Sequence, residues 1–461
     1  MPNMSSLSSM SSKSSLTQST NSTRETFTSR FGSTMVLIGV AVGLANIWRF
    51  PYMTGRFGGA AFVAVYVVFA FLLGVPAIMA EWTLGRHTRQ GPAGAFTAVG
   101  MPGGKAVGIL LFVTVFMASS YYMLIIGQVL FYIGATLAGS LSGQDPAEFF
   151  SSHLEGITVE NVLSTLAVFV AIAGVLYFGV RRGIESVSRI VMPIVFVSLV
   201  VVIIRSVTLP GAWEGVRFFL VPDFSKITAQ TLLAALGQVF FSMSLGGTFF
   251  LLYGSYLRAN EDIPRMAVAT AMGDLTAAML GGLAILPAVF ALGLEPDSGP
   301  SLIFITLPGV FAQIPGGTIV GTIFFSALFF AAFLSGVAAI EVLVDGLKVY
   351  FGMSRTRALV GLVLVQVLLS LIPMWSTQYL MYSDLIWGST MQPVGSALTL
   401  IALGWFVTRG KTLEEVNRGS SVKIGNFWIF WIRYVIPSVI VVILVYGWWG
   451  PLQNLIGKIF G

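Results

Sequence analysis

The sequence predicts an all-α membrane protein with about eleven transmembrane helices, in which two five-helix repeats each begin with a helix that is unwound near its middle. Three observations predict this fold. Of the 461 residues, 56% are hydrophobic and only 10% are charged, too few to cover a soluble domain of this length. The apolar residues form runs of about 20, the length that spans a bilayer as a helix. Glycine and polar residues cluster inside two of these runs, five spans apart.

The composition excludes several classes of function. The chain has no cysteine and only two histidines, His87 and His153, which excludes a disulfide scaffold, thiol catalysis and zinc sites built on cysteine. The net charge of +6 could indicate binding to nucleic acid, but the distribution of the basic residues has another cause, given below. The first 23 residues are rich in Ser and Thr, with Lys13 as their only charge, and we expect them to form a disordered tail.

Eleven apolar segments, called spans 1 to 11, follow the tail. Each is near the length required at a rise of 1.5 Å per residue, and turn residues such as Pro210-Gly211 separate some of them. The segments are 34–54, 60–84, 106–137, 161–179, 188–207, 229–256, 266–293, 317–348, 357–374, 384–408 and 427–449. The predicted organisation is a tail over 1–23, a first repeat over 24–207, a second repeat over 208–408, and a last region over 409–461 that contains a cytoplasmic loop, span 11 and a short extracellular end.

The positions of Lys and Arg predict the orientation, because loops that stay in the cytoplasm carry an excess of both. With the N-terminus inside the cell, 19 of the 25 Lys and Arg residues fall on the cytoplasmic side. The other six are Arg49, Arg56, Arg205, Arg217, Lys226 and Lys458. This asymmetry predicts a cytoplasmic N-terminus, an extracellular C-terminus and an odd number of spans, and it explains the positive charge without nucleic acid.

The two interrupted spans carry the main functional signal. Span 1 contains Gly39 and Gly43 followed by Asn46, and span 6 contains Ser242, Ser244 and the pair Gly246-Gly247. Glycine inside a helix costs about 1 kcal/mol relative to alanine, so its presence requires a reason. Close packing of helices through small residues is one reason. Paired interruptions at matching positions of two repeats instead indicate a transport site near the middle of the membrane.

Residues 43–52, with the sequence GLANIWRFPY, resemble the first-helix signature of the neurotransmitter:sodium symporters. Further segments similar to this family follow in the same order over residues 24–449. They are 81–86 (EWTLGR), 121–122 (YY), 237–242 (GQVFFS), 304–308 (FITLP) and 417–419 (NRG). The family contains sodium-coupled transporters of amino acids and amines, and its helices 1 and 6 are unwound.

The resemblance implies a first sodium site made by the carbonyl of Ala41 and the side chains of Asn46 and Ser242. The family has an asparagine in span 7 that we align with Gly273, and the next residue, Asp274, is a carboxylate inside an apolar span. Because an unpaired charge there is costly, we expect Asp274 to supply negative charge at the sodium site. The alternative is a protonated Asp274 that is only hydrogen-bonded.

Chloride-dependent relatives have a serine at the position aligned with Ala277, so we expect transport without chloride. The second sodium site implied by the resemblance consists of the carbonyls of Gly39, Val42 and Ala331 and the hydroxyl of Ser335. Leu334 stands where a second oxygen ligand is usual, which leaves the number of sodium ions at one or two.

The resemblance also implies where an amino-acid substrate binds. Its carboxylate would meet the unwound backbone over 42–45 and the hydroxyl of Tyr122, and its ammonium would meet carbonyls of Phe241 and Ser244. The substrate-binding residues are Val42, Leu44, Ala45, Ala118, Tyr122, Phe241, Ser244, Gly247, Ser335, Gly336 and Ala339. Several are small, with Gly247 and Ala339 the most notable. We therefore expect the substrate to be a large hydrophobic amino acid, a class that includes the aromatic amino acids. The alternative is that neighbouring side chains or water fill the space.

The gates are implied by the same resemblance. Arg49 and Asp384 form the extracellular pair above Phe241. Tyr256, Glu341 and Arg24 belong to the cytoplasmic gate. The acidic partner of this arginine is usually found at the position that we align with Val349, and here the candidate is Asp345, one turn earlier.

The expected function is therefore sodium-coupled import of a hydrophobic amino acid by alternating access, through a protein of the plasma membrane that is not an enzyme and has no organic cofactor. Its partners are the substrate and the lipid bilayer, with no nucleic acid, and either a monomer or a homodimer is compatible. A proton-coupled transporter using Glu81, Asp274 or Glu341 and a non-transporting amino-acid sensor are the alternatives. A channel is disfavoured because no filter repeats, and an intramembrane enzyme because neither histidine lies in a span.

Overall fold

The computed structural model describes residues 26–296 and 302–447, and every regular element in these ranges is a helix. Helices cover all eleven predicted spans. They run over Arg30–Ala41 with Ala45–Arg56, Ala60–Thr88, Gly104–Leu137, Val159–Tyr177, Val180–Val207, Ala229–Ser242 with Phe249–Tyr256, Ile263–Ala291, Gly317–Phe351, Arg355–Trp375, Thr377–Phe406 and Asn426–Gly447. The predicted tail over 1–23, and with it Arg24, lies outside the described residues, and the repeat boundaries stay predictions.

Length and composition divide these helices into two groups. Within the described residues, eight helices are long and apolar enough to cross a membrane alone, and the count rises to ten when each of two bent pairs is one span. One bent pair is span 1, and the other joins span 10 to the connecting helix Arg409–Asn417 at 114°. Span 6 is the remaining predicted segment, and its halves of 14 and 8 residues are each too short to cross alone.

Burial distinguishes the centre of the bundle from its periphery. Spans 3, 7 and 8 are mostly buried, and span 8 packs against both span 3 and span 5. Spans 4, 5, 9 and 11 instead expose large apolar side chains, among them Val170, Ile190, Leu364 and Val442. Exposed apolar surface of this extent is stable in contact with lipid and costly in water. The outer faces of these four spans therefore meet the bilayer, and the buried spans enclose the two interruptions.

Span 1 breaks at residues 42–44. The helix ends at Ala41, Val42 is extended with ψ of 116°, and the two parts of the span meet at 51°. The side chain of Asn46 stabilises the break, because its Oδ1 atom accepts a hydrogen bond from the backbone N–H of Gly43 at 2.9 Å. The N–H group of Gly43, which has no partner within the helix, thus finds one inside the protein, as a backbone group in the hydrocarbon region of a membrane must.

Span 6 breaks over residues 243–248. Ser244 and Gly247 have φ of +51° and +64°, in the left-handed region that interrupts a helix. Glu81 on span 2 stabilises the opened segment, because its Oε1 atom accepts hydrogen bonds from the N–H groups of Gly246 at 3.1 Å and Gly247 at 2.9 Å. Both interruptions predicted from the sequence are confirmed by the fold.

Gly247→Ala is expected to destabilise the protein by about 2 kcal/mol or more, because an added methyl group is both strained and crowded. Its Cβ would overlap the hydroxyl of Thr399 and lie 2.6 Å from the carbonyl oxygen of Gly395, at a φ that disfavours any Cβ. Thermal unfolding in detergent measures the effect. Gly237→Ala is the matched control, because beyond its chain neighbours and its own helix backbone nothing in the described chain lies within 4 Å of the added atom. Equal melting temperatures for the two variants would contradict the prediction.

Candidate functional site

The two interruptions border one cavity of about 140 Å³. Its walls come from spans 1, 3, 6, 8 and 10. Of the residues predicted to bind substrate, those that line it are Leu44, Ala45, Ala118, Tyr122, Phe241, Ser244, Ser335 and Ala339. Spans that are distant in the sequence thus meet around a single cavity. At this cavity the breaks in spans 1 and 6 leave backbone N–H and carbonyl groups available to bind a ligand.

Three of the predicted substrate residues do not line the cavity. Gly247 faces span 10, and Gly336 faces away from the cavity, since a Cβ there would lie 3.0 Å from Ile126 and 3.1 Å from Ile172. Val42 is fully buried, and its carbonyl accepts a hydrogen bond from Ser335 at 3.4 Å. The expectation that Gly247 enlarges the pocket is therefore corrected: this glycine permits close packing of spans 6 and 10.

One end of the cavity is bordered by Arg49 and Asp384. The Cζ atom of Arg49 lies 4.3 Å from the centre of the Phe241 ring, and Asp384 accepts a hydrogen bond from the hydroxyl of Tyr121 at 3.1 Å. The Nη1 atom of Arg49 is buried without a hydrogen-bond partner in the described part of the chain. The predicted gate pair thus borders the cavity without a direct bond between its members, and Phe241 lies against Arg49 as expected of a lid.

A network of polar contacts closes the protein at the Tyr256 end. Glu341 forms an ion pair with Arg355 at 2.6 Å and accepts a hydrogen bond from the hydroxyl of Tyr256 at 2.9 Å. The carbonyl of Tyr256 in turn accepts a bond from the N–H of Phe27 at 3.3 Å. Sequence reasoning did not identify Arg355 as a gate residue, and its only signal was its place in a basic loop. The proposed bond between Arg24 and the buried Asp345 falls outside the described residues.

Asp274 lies in a fully buried polar cluster that joins four spans. Its Oδ1 atom accepts hydrogen bonds from Asn46 Nδ2 at 2.7 Å and Ser242 Oγ at 2.9 Å. Its Oδ2 atom accepts a bond from the hydroxyl of Tyr66 at 2.7 Å. The backbone carbonyl of Asp274 also accepts from Asn46 at 3.0 Å. One carboxylate therefore contacts both broken spans at the points where they are interrupted.

The structure corrects the alignment of span 7 by one residue. Asp274 itself contacts Asn46 and Ser242, whereas a Cβ on Gly273 would point at Ile38. The same shift would move the position associated with chloride from Ala277 to Ala278, so that an alanine stands there in either alignment. Tyr66 was also missed from the sequence, because a tyrosine in an apolar run carries no sign that it will face a carboxylate.

The Asp274 cluster has the chemistry of a site for a hard cation. Carboxylate, amide, hydroxyl and carbonyl oxygens are the ligands that such ions prefer. Ala41, whose carbonyl was predicted to contribute, lines the cavity next to this cluster, as does Ser242. None of the Lys and Arg side chains in the described ranges forms an ion pair with Asp274. A buried carboxylate without a cationic partner is costly, so the donor set fits a bound sodium ion.

The second predicted sodium site is poorer in oxygen. Val42 and Ser335 contact each other, and Ala331 is buried nearby on span 8. Beside Gly39, however, an added Cβ would lie 2.8 Å from Leu334 Cδ1 and 3.4 Å from the sulfur of Met192. Apolar atoms thus lie beside Gly39, one of the expected carbonyl ligands, and one of them is the Leu334 methyl group.

The arrangement defines a class of protein. A multi-span membrane protein with a central cavity between two broken helices, closed at one end and bordered by a charged pair at the other, is built to move a small molecule across a membrane. The chain belongs to the sodium:neurotransmitter symporter family, whose sequence pattern matches residues 24–153 and 147–451. It is a transporter of the sodium-dependent type and not an enzyme.

Similar proteins support this assignment over nearly the full length. The uncharacterized sodium-dependent transporter YhdH of Bacillus subtilis (strain 168) is 34% identical over 457 residues, which cover 94% of this chain and 97% of YhdH. The sodium-dependent serotonin transporter of Drosophila melanogaster is 26% identical, with 94% and 78% covered. The crystal structure of MhsT in complex with L-phenylalanine is 34% identical, with a TM-score of 0.84, and covers 92% of this chain and 100% of MhsT. The family and fold inferred from the sequence are confirmed.

Proposed function

We propose that this protein is a sodium-coupled symporter that imports a hydrophobic amino acid with a large or aromatic side chain, by alternating access and without chloride. The observation that carries the proposal is the contact of Asp274 with both broken spans, through Asn46 and Ser242. A sodium ion at this carboxylate would connect the spans that border the cavity, because Ser242 also lines the cavity wall. Ion binding and substrate binding would thus stabilise the same arrangement of helices.

The cavity supports an amino acid as substrate. Gly43 lies at the break in span 1, where a Cβ would be 2.9 Å from Ser335 Oγ and 3.3 Å from the Tyr122 hydroxyl. Backbone and hydroxyl groups converge at this point, as recognition of a carboxylate requires. Ala118 and Ala339 are the small residues of the wall, which leaves room for a bulky side chain. MhsT, which shares 34% of its residues with this chain, was crystallised with L-phenylalanine, and this supports a hydrophobic substrate.

Asp274 also supports transport without chloride. A fixed carboxylate next to the ion supplies the negative charge that a bound anion would otherwise provide. Because Ala277 and Ala278 have no hydroxyl group, neither can help to bind such an anion. Because Leu334, an apolar residue, lies beside Gly39 where a second oxygen ligand is usual, we propose that the Asp274 cluster is the principal sodium site.

The basic residues support a cytoplasmic N-terminus in the plasma membrane, which puts Arg49 and Asp384 on the extracellular side. The cavity would then be bordered by its charged pair outside and closed inside by Glu341, Arg355 and Tyr256. Each sodium ion that enters through the membrane potential contributes about 2.3 kcal/mol per 100 mV. That energy would drive import.

Uptake of radiolabelled amino acids into proteoliposomes tests the proposal. With a tenfold inward sodium gradient, we expect accumulation of tryptophan, tyrosine, phenylalanine or leucine, since such a gradient is equivalent to about 1.4 kcal/mol, or about tenfold accumulation per ion. Replacing external sodium with potassium should abolish uptake, and replacing chloride with gluconate should leave it unchanged. Uptake driven by a pH gradient without sodium would favour the proton-coupled alternative, and saturable binding without flux would favour a sensor.

A further inference from the structure

Four residues of the cavity wall have a buried polar atom without a hydrogen-bond partner in the described chain: two are the donors Trp48 Nε1 and Arg49 Nη1, and two can accept, on Thr248 and Gln392. The hydroxyl of Thr248 and the Oε1 atom of Gln392 are both buried, and neither has a partner within the described residues. Both residues line the cavity that Phe241 and Ala339 also line. Thr248 is only 2% exposed. A buried polar group without a protein partner is unfavourable, so two unpaired acceptors in one wall require an explanation.

Two hydroxyl groups of span 3 in the same wall are already bonded to backbone. Thr114 Oγ1 donates to the carbonyl of Leu110 at 2.9 Å, and Ser119 Oγ donates to the carbonyl of Val115 at 2.6 Å. These are the usual bonds of hydroxyl groups within a helix, to the residue four positions earlier. The hydroxyls on span 3 are therefore satisfied without any substrate.

The position of Thr248 explains why its hydroxyl differs. Thr248 is the residue before the second half of span 6, with φ of −120° and ψ of −79°, so it has no preceding helical turn whose carbonyl could accept its hydroxyl. Its side chain also makes no capping bond to the helix that follows. Gln392 on span 10 lies against the same break, since a Cβ on Gly246 would be 3.5 Å from its Cα and Cβ atoms. Both residues thus line the cavity beside the break in span 6.

We propose that Thr248 and Gln392 form a polar subsite that accepts a hydrogen bond from the side chain of the substrate. The preferred substrates are then aromatic amino acids whose ring carries an N–H or O–H donor, tryptophan and tyrosine, in preference to phenylalanine. This inference rests on the proposed function and specifies its substrate. A site with hydrogen-bonding groups for a substrate donor rejects an analogue that lacks the donor far more strongly than an apolar pocket rejects a change of size, because the groups of the site stay unpaired.

Competition in proteoliposomes with two matched pairs of ligands tests the subsite. One pair is L-tyrosine and L-phenylalanine, and the other is L-tryptophan and 3-benzothienyl-L-alanine, in which sulfur replaces the indole N–H. For the unaltered protein we expect each donor ligand to bind at least about tenfold more tightly than its partner. Thr248→Val preserves the shape of the side chain and removes its hydroxyl, and Gln392→Leu removes the amide. Each should reduce the preference to about threefold or less, chiefly by weakening the donor ligands.

Thr114→Val is the matched control, because it removes a hydroxyl of the same wall that is already bonded to backbone. It should keep the full preference for the donor ligands. Equal affinities within both pairs in the unaltered protein would overturn the subsite without any variant, so the test does not depend on folding of the variants. A preference that survives both Thr248→Val and Gln392→Leu would also overturn it.

The outcomes distinguish the subsite from the proposed function. Sodium-driven uptake of phenylalanine and tyrosine at equal affinity refutes the subsite and retains the symporter. The absence of sodium-driven uptake for every amino acid refutes the symporter, and the subsite with it. Preferential uptake of the donor ligands supports both.

Discussion

Asp274→Asn is expected to weaken sodium binding at least about tenfold and to reduce sodium-driven uptake correspondingly. The substitution preserves the shape of the side chain and removes its charge. Two unit charges 4 Å apart at an effective dielectric constant of 20 interact by about 4 kcal/mol, and 1.4 kcal/mol already corresponds to a factor of ten in affinity. Part of this interaction offsets the cost of desolvating the carboxylate. We therefore expect a loss of sodium affinity nearer to about tenfold than to the larger factor that the full interaction of about 4 kcal/mol would give. The sodium dependence of uptake, measured at saturating substrate, gives the change directly.

The control for Asp274→Asn is Asp223→Asn, the same chemical change at an exposed carboxylate in the loop before span 6. It should leave the sodium dependence unchanged. An Asp274→Asn protein with the sodium affinity of the original would contradict the prediction. It would favour the alternative in which Asp274 is protonated and is only hydrogen-bonded to Asn46, Ser242 and Tyr66.

Arg86→Met is expected to destabilise the protein by about 3 kcal/mol, because it removes the buried partner of Glu415, which then keeps, within the described chain, only Arg418 at 3.6 Å. Arg86 is 1% exposed, and its Nε atom forms an ion pair with Glu415 at 2.6 Å. Its Nη1 atom donates to the carbonyl of Glu261 at 2.7 Å, and its Nη2 atom donates to the carbonyl of Glu415. One guanidinium thus joins span 2 to the segment before span 7 and to the helix after span 10. Thermal unfolding in detergent or nanodiscs measures the loss.

Two further variants make the Arg86 prediction specific. Arg265→Met removes an arginine that is 71% exposed and lies 3.7 Å from Asp262, and it should change the melting temperature little, as surface pairs do. The double variant Arg86→Met/Glu415→Met should recover part of the loss, because neither charge then remains unpaired. An Arg86→Met protein as stable as Arg265→Met would show that the buried pair contributes nothing.

The sequence by itself determined the membrane fold and the two interruptions. Long apolar runs with few charges permit only helices that cross a bilayer, because every backbone group must find its partner inside the segment. Glycine and polar residues such as Asn46 and Ser244 within such runs act locally, on the backbone that carries them. Both features depend on residues close together in the chain, so the spans and their breaks could be derived without tertiary information. The resemblance to the family then predicted half of the residues that line the cavity.

The tertiary structure decided which way individual side chains face. Span 7 is apolar on all sides, so its sequence contains no polar stripe that sets its rotation, and a shift by one residue turns a helix by about 100°. For this reason the alignment of Gly273 in place of Asp274 could be corrected only by the contacts of Asp274. The direction of Gly247 toward span 10 and the pairing of Glu341 with Arg355 depend on residues more than ten positions away in the chain. Such contacts are formed by packing, and no local pattern encodes them.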